Sequence, residues 1–213
     1  MIKAEILQQT RLFVKESLQK AEAGHDWWHI KRVTALAMDM ARETAADVFV
    51  TEMACLLHDI GDAKFHDGNE SIGPALIKNF LQTQAIDKET VDKIMFIIEH
   101  MSFRKSDSFF GEKSIEFQVV QDADRLDSIG AIGIARAFSF GGYKGRPFYN
   151  PEKEAPTAAY QSGQSATINH FYEKLLKLKD LMNTESGKKR AEVRHAFMLQ
   201  FLDQFYLEWD GKV

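Results

Sequence analysis

The sequence predicts an all-α protein folded as a single domain. Apolar residues recur with a helical period along almost the whole chain of 213 residues, and no segment shows the alternation that is typical of a strand. Glycines interrupt the pattern at Gly24, Gly61 and Gly187, where helices are expected to end. The length suits one compact domain, and the 45% of hydrophobic residues supply enough apolar surface for its core.

Each expected helix follows from a stretch of this pattern. The first stretch places Ile6, Phe13 and Leu18 on one face, and the last places Phe201 and Leu202 together. In chain order, the expected helices cover residues 4–22, 29–44, 51–60, 70–83, 88–100, 114–127, 129–139, 164–184 and 187–209.

Residues 140–163 are expected to form the one long loop of the chain. They are rich in glycine and proline, which end helices and favour turns. A loop of this length is often a lid or a binding loop, and it can equally be a plain surface excursion. The sequence does not decide between the two.

The composition excludes several classes of protein. The net charge is −4 with basic residues spread along the chain, so no nucleic-acid surface is expected. The single cysteine, Cys55, lies in an apolar run, which fits a buried thiol in a reducing cytosol. No apolar stretch approaches the ~20 residues of a membrane helix, and no export signal is visible, so we expect a cytoplasmic protein. A homo-oligomer is compatible with these features, and the sequence leaves the oligomeric state open.

Histidine and aspartate are concentrated in the first half of the chain. The dipeptide His-Asp occurs three times, and its context differs each time. His58-Asp59 ends a buried helix, where a carboxylate needs a partner, and a bound cation would serve both side chains. The pair at 66–67 precedes a glycine and is typical of a polar turn, and the pair at 25–26 leads into the next helix, which carries His29.

A cluster of acidic residues lies at residues 122–127. Asp122, Asp124 and Asp127 stand among apolar residues, so at least one of them is expected to point inward toward a cation or an arginine. The alternative for this segment alone is a helix whose acids are solvated and pair with Arg125.

The order of these residues resembles the H…HD…D signature of the HD-domain superfamily of metal-dependent phosphohydrolases. Residues 25–33, 56–62 and 122–127 are similar to its three motifs, and residues 170–176 and 194–198 are similar to the C-terminal part of small bacterial HD hydrolases. The resemblance covers nearly the whole chain. It implies an HD core at about residues 24–130, with C-terminal helices at about 164–210 packed on it.

The resemblance also implies the metal ligands, which are His29, His58, Asp59 and Asp124. Two imidazoles and two carboxylates form a mixed nitrogen and oxygen site that suits Mn²⁺, Fe²⁺, Co²⁺, Ni²⁺ or Zn²⁺ better than Ca²⁺, and Mg²⁺ is a further candidate. The family resemblance favours Mn²⁺. Such an ion would activate water for attack on phosphorus.

Four more site residues are expected. Asp62 and His100 match positions of the family, whereas Lys64 and Arg104 are cationic residues near the metal motifs in the sequence. Asp62 matches a position where some relatives carry an acid proposed to handle the water; many relatives have lysine there, and a turn-capping aspartate is the alternative. Lys64, His100 and Arg104 are expected to bind phosphate. His100 could instead be an ordinary histidine at a helix C-terminus or, as in dinuclear members, a ligand of a second metal.

The resemblance to the small bacterial HD hydrolases implies hydrolysis of a small nucleotide, from a nucleoside triphosphate to a monophosphate and pyrophosphate. A nucleoside monophosphate phosphatase is the second enzymatic hypothesis. A di-iron oxygenase would need several further ligands, for which only His66 and His100 are available. A non-catalytic regulatory HD domain commonly loses ligands, whereas this chain keeps all four.

Overall fold

The computed structural model describes residues 2–19, 24–61, 66, 68–69, 71–101, 111–152 and 166–213. Over these residues the chain is helical and contains no strand, which confirms the predicted all-α class. No helix in these ranges is both long and apolar enough to cross a lipid bilayer. The chain forms two compact units, residues 1–123 and 124–213. The expected packing of the C-terminal helices on the core stays a prediction.

The first unit contains the helices of the N-terminal half. In chain order they are α1 (Ile2–Ser17), α2 (Trp27–Thr44), α3 (Val48–Leu57), a 3-10 helix (His58–Gly61), α4 (Ile72–Gln82), α5 (Lys88–His100) and most of α6 (Ile115–Asp127). The predicted helix 51–60 therefore begins three residues earlier and tightens into a 3-10 turn at its end. The predicted bounds 88–100 match α5.

Helix α3 is the centre of this unit. Eight of its ten residues are buried, because its sequence is apolar on all sides. It packs against α1, α2 and α5. Its N-terminus is capped by Asp47, whose side chain accepts hydrogen bonds from the backbone amides of Phe49 (2.8 Å) and Val50 (3.0 Å). The result is a fixed central helix that ends directly before His58 and Asp59.

The second unit contains α7 (Gly130–Tyr143), α8 (Asn169–Glu173), a second 3-10 helix (Leu175–Leu181) and α9 (Glu185–Trp209). An aromatic cluster holds α9 to its neighbours: Phe201 stacks on Phe171 at 5.9 Å and meets Phe138 edge-on at the same separation. These ring contacts position the long C-terminal helix within its unit.

Two expectations about this unit were wrong. The predicted helix 164–184 is broken at Lys174, whose φ of −137° leaves the helical region, and the chain continues as a 3-10 helix. Leu175 and Leu178 are buried at a spacing of three, which suits the 3-10 repeat better than the α-helical one. The predicted loop 140–163 begins late, because α7 continues to Tyr143; residues 153–165 lie outside the described ranges.

Candidate metal centre

His29 owes its position to the start of α2. The carboxylate of Asp26 accepts hydrogen bonds from the backbone amides of Trp28 (3.1 Å) and His29 (3.0 Å) and so caps the helix. His29 is fully buried in the first turn. The sequence predicted Asp26 only as a lead-in to the helix, although aspartate directly before an amphipathic segment is a known capping signal.

His58 and Asp59 come from the 3-10 helix that follows α3. Both side chains are buried, as the apolar context of the motif predicted. The tight turn places two consecutive side chains next to His29 from the neighbouring helix. We call these three residues the His–His–Asp cluster.

The distances within the cluster fit a single divalent ion. Nε2 of His29 lies 3.3 Å from Nε2 of His58 and 3.4 Å from Oδ2 of Asp59, and Nε2 of His58 lies 3.7 Å from Oδ1 of Asp59. One ligand atom from each residue lies within 4.8 Å of the others. Ligands ~2.1 Å from one ion are about 3.0–3.4 Å apart in octahedral or tetrahedral geometry. The cluster is therefore close to a coordinating arrangement.

The tautomer of His58 is indicated by the hydrogen bond of its other ring nitrogen. Nδ1 lies 2.7 Å from the carbonyl oxygen of Cys55. A carbonyl only accepts hydrogen bonds, so Nδ1 carries a proton, and in this tautomer the lone pair of Nε2 faces the cluster. Donation from the second ring nitrogen to a carbonyl is the usual support of a metal-binding histidine.

Two further residues support the 3-10 helix from outside. His66 donates from Nε2 to the carbonyl oxygen of Ile60 at 2.8 Å, so its role is more than the polar turn that the sequence predicted. Gly73 of α4 approaches the turn so closely that a Cβ atom would lie 2.5 Å from the same oxygen and 2.8 Å from Cα of Gly61. Sequence analysis missed Gly73, and a lone glycine in a helix offered no signal for it.

Of the other predicted site residues, Asp124 and His100 are described by the structure and three lie outside the described ranges. Asp124 is partly buried on α6 and is the first residue of the second unit, so its place as fourth ligand stays a prediction. His100 ends α5, and its Nδ1 donates to the carbonyl oxygen of Phe96 at 2.9 Å. It does not belong to the His–His–Asp cluster. Asp62, Lys64 and Arg104 are outside the described residues.

The acidic segment of α6 is largely buried. Asp122 and Asp127 are shielded from solvent, so the alternative of a solvated acidic helix was wrong. In the second unit, Asp127 pairs with Arg136 at 2.8 Å, and Arg125 donates to the carbonyl oxygen of Leu181. The expectation that an acid of this segment points toward an arginine is met by Asp127.

Comparison with known proteins agrees with this geometry. The family model of the HD domain matches residues 27–129, a range that contains all four predicted ligands. The uncharacterized protein YpgQ of Bacillus subtilis is 42% identical over 205 residues, which cover 96% of this chain and 94% of YpgQ.

Solved structures give the same result. An HD-superfamily hydrolase from Bacillus thuringiensis is 42% identical, with a TM-score of 0.78 and coverage of 98% of each chain. The structure of YpgQ in complex with ADP has a TM-score of 0.79 at 39% identity, covering 98% of this chain and 97% of that one. The chain therefore belongs to the HD-domain superfamily, as a metal-dependent phosphohydrolase of the bacterial branch that includes YpgQ.

Proposed function

We propose that the protein hydrolyses nucleoside triphosphates to the monophosphate and pyrophosphate. The observation that carries the proposal is the buried His–His–Asp cluster, whose spacing fits one divalent ion. The ADP complex of the related YpgQ supports a nucleotide as the ligand class. In this reaction water adds to the α-phosphorus, and the bond to the bridging oxygen of the leaving pyrophosphate breaks.

The metal would be held by His29, His58 and Asp59, with Asp124 as the proposed fourth ligand. When bound, a divalent ion lowers the pKa of water and offsets negative charge on the phosphates. His58 contributes a directed lone pair because its Nδ1 proton is engaged by the Cys55 carbonyl. The mixed donor set and the family resemblance favour Mn²⁺, and Fe²⁺, Co²⁺, Ni²⁺, Zn²⁺ and Mg²⁺ are the competitors to test.

Asp62 is the proposed general acid–base residue. It follows Asp59 by three residues, which keeps it near the metal motif along the chain. The Asp62→Asn variant is expected to lose ~10²–10⁴-fold in turnover while its metal content stays at the parental level. Parental turnover would make Asp62 a turn residue, and loss of the metal would make it a ligand.

Lys64, His100 and Arg104 are the proposed phosphate-binding residues. A triphosphate carries more negative charge than one divalent ion balances, and cationic donors make strong bonds to phosphate. Alanine at each position should raise KM or lower kcat for the triphosphate and leave metal content unchanged. If all three variants retain parental kinetics, the phosphate pocket lies elsewhere, and Lys144, Arg146 and Lys174 are the next candidates.

A nucleotide screen tests the function as a whole. The purified protein is incubated with triphosphates, diphosphates and monophosphates in Mn²⁺, Mg²⁺, Co²⁺ or no added metal, and monophosphate, phosphate and pyrophosphate are separated. We expect metal-dependent release of pyrophosphate from a triphosphate, abolished in Asp59→Ala. In ¹⁸O-labelled water the label should appear in the monophosphate.

Other outcomes would contradict the proposal in defined ways. Release of phosphate from monophosphates alone would establish a phosphomonoesterase instead. Absence of turnover with every nucleotide and metal would favour a regulatory HD domain, and dioxygen consumption with an iron-loaded sample would favour an oxygenase. The expected cytoplasmic location is a separate prediction, which fractionation of the source cells would test.

A further inference from the structure

Helix α5 ends next to the 3-10 helix that carries His58 and Asp59. The two elements are in contact: a Cβ atom on Gly61 would lie only 2.6 Å from Cγ2 of Ile98, so the last turn of α5 packs directly on the end of the 3-10 helix. His100 follows Ile98 by two residues and is the last residue of α5. The position of this turn therefore determines where His100 lies relative to the His–His–Asp cluster.

A side chain of α6 holds the end of α5. The last carbonyl groups of a helix have no donor within it, and the carbonyl oxygen of Met101, directly after α5, accepts a hydrogen bond from Nε2 of Gln121 at 2.9 Å. Gln121 is 2% exposed and Met101 6%. Because both residues are buried, loss of the amide donor would leave an acceptor inside the protein without its bond. Gln121 thus fastens α5 to α6.

The other half of the Gln121 amide is fixed by Lys113. Oε1 of Gln121 accepts a hydrogen bond from Nζ of Lys113 at 3.0 Å. Lys113 is held in turn by the first turn of α6: its ammonium group lies over the ring of Phe117, 5.5 Å from the centroid, and its carbonyl oxygen accepts a hydrogen bond from Nε2 of Gln118 at 2.9 Å. The amide of Gln121 therefore has a fixed partner on each side.

The two partners determine which way the amide of Gln121 faces. A lysine ammonium group only donates hydrogen bonds and a carbonyl only accepts them, so the oxygen of the amide faces Lys113 and its nitrogen faces Met101. Exchange of the two amide atoms would oppose donor to donor and acceptor to acceptor. An ionised glutamate at this position would keep the bond to Lys113 and lose the bond to Met101. The bond to the end of α5 thus depends on the amide nitrogen.

We propose that Gln121 is a positioning residue for the hydrolytic reaction: it holds the last turn of α5 so that His100 is placed correctly relative to the His–His–Asp cluster. The ring of His100 moves with that turn, because its Nδ1 donates to the carbonyl oxygen of Phe96 at 2.9 Å and its centroid lies 4.6 Å from that of the Phe96 ring. Gln121 acts through His100 and does not itself bind the substrate. The inference rests on the proposed contact of His100 with phosphate.

Exchange of the amide for a carboxylate tests the bond to α5. Gln121→Glu sets a carboxylate oxygen against the Met101 carbonyl, so we expect the end of α5 to shift and KM for the triphosphate to rise about tenfold, with unchanged metal content. Gln118→Glu is the matched control: the same exchange one turn earlier on α6 breaks a bond to Lys113 and none to α5. Its KM should stay within about twofold of the parent. Equal effects of the two variants would overturn the inference.

A double-mutant cycle separates positioning of His100 from a general loss of stability. In the His100→Ala background, Gln121→Glu should change KM by less than about twofold, because the group that Gln121 positions is gone. Effects that multiply would overturn the inference, since they would show two independent contributions. Gln121→Met, which is close in size and uncharged, takes the place of Gln121→Glu in both experiments if the buried carboxylate prevents folding.

Nuclear magnetic resonance of the full-length protein provides a readout without substrate. In the parent, His100 should carry its ring proton on Nδ1, and the amide of Met101, which donates to the carbonyl oxygen of Ile97 at 2.9 Å, should exchange slowly with solvent. Gln121→Glu should shift the His100 ring signals and speed exchange of the Met101 amide about tenfold, and Gln118→Glu should change neither. Unchanged signals in Gln121→Glu would overturn the inference. Parental kinetics of His100→Ala, in contrast, would contradict the proposed phosphate contact, while the shifted signals would still establish that Gln121 places His100.

Discussion

His29 and His58 face each other through their Nε2 atoms at 3.3 Å inside the first unit. Because His58 carries its proton on Nδ1, where it donates to the Cys55 carbonyl, its Nε2 lone pair points at His29. The carboxylate of Asp59 adds a third acceptor within 3.7 Å of both nitrogens. Three electron-rich atoms this close in a buried place would be stabilised by a shared cation, and this relationship supports the proposed metal site.

Removal of Asp59 should therefore remove the metal. The Asp59→Ala variant takes away the only anionic member of the cluster, and we expect metal content to fall from about one ion per chain to a small fraction. Elemental analysis of the purified proteins measures it. Asp39→Ala is the matched control, because Asp39 is an exposed aspartate of α2 that pairs with Arg42. Equal metal content in parent and Asp59→Ala would contradict the assignment.

The sequence predicted most of the helices because their apolar period is strong. It could not predict the break at Lys174, since residues 164–184 have an acceptable helical pattern and the choice between α and 3-10 geometry depends on how Leu175 and Leu178 pack. The packing of these leucines in the folded protein determines the helix type after Lys174. The local sequence pattern does not encode that packing.

The sequence predicted the side chains of the candidate site. It did not predict the groups that hold those side chains in position. The ordered histidines and aspartates were visible as a motif, and His29, His58 and Asp59 do come together. The Cys55 carbonyl that orients His58 is a backbone group, which any residue would supply. The contact of Gly73 with the 3-10 helix is a long-range packing feature and leaves no mark in the local sequence.

Loss of the cap of α2 should weaken both the fold and the metal site. Asp26 accepts hydrogen bonds from the amides of Trp28 and His29, so Asp26→Ala frees the first turn that holds a ligand. We expect a loss of about 1 kcal/mol in the free energy of unfolding and weaker metal binding. Thermal melts and metal titration measure the two effects. Asp26→Asn keeps a capping oxygen and should recover most of both, and failure of that recovery would argue for a role beyond capping.

The stability of the second unit should depend on His170. Burial, together with the positive charges of Lys174 and Arg146, lowers the pKa of His170 to about 4 from its ordinary 6.5. Between pH 6.5 and 4 the unfolded chain binds this proton and the folded one does not, so stability is lost on acidification through that window and unaffected above it. The loss is at most roughly 3 kcal/mol. Urea unfolding of His170→Gln and the parent from pH 4 to pH 7.5 should show a shallower pH dependence in the variant, and identical slopes would refute the assignment.

A methyl group at Gly73 should disturb the metal centre without touching a ligand. Its Cβ would lie 2.5 Å from the carbonyl oxygen of Ile60, a backbone atom that cannot rotate away, so Gly73→Ala must push α4 from the turn carrying His58 and Asp59. Overpacking of this kind costs about 1–3 kcal/mol, and we expect lower metal affinity as well. Gly142→Ala is the matched control: Gly142 is also within a helix, but its Cβ would meet nothing within 4 Å, so that variant should be neutral or stabilised by up to ~1 kcal/mol. Chemical denaturation and metal titration of both variants measure the free energy of unfolding and the metal affinity. If the two variants had equal values, the contact of α4 with the turn would be too loose to position the ligands.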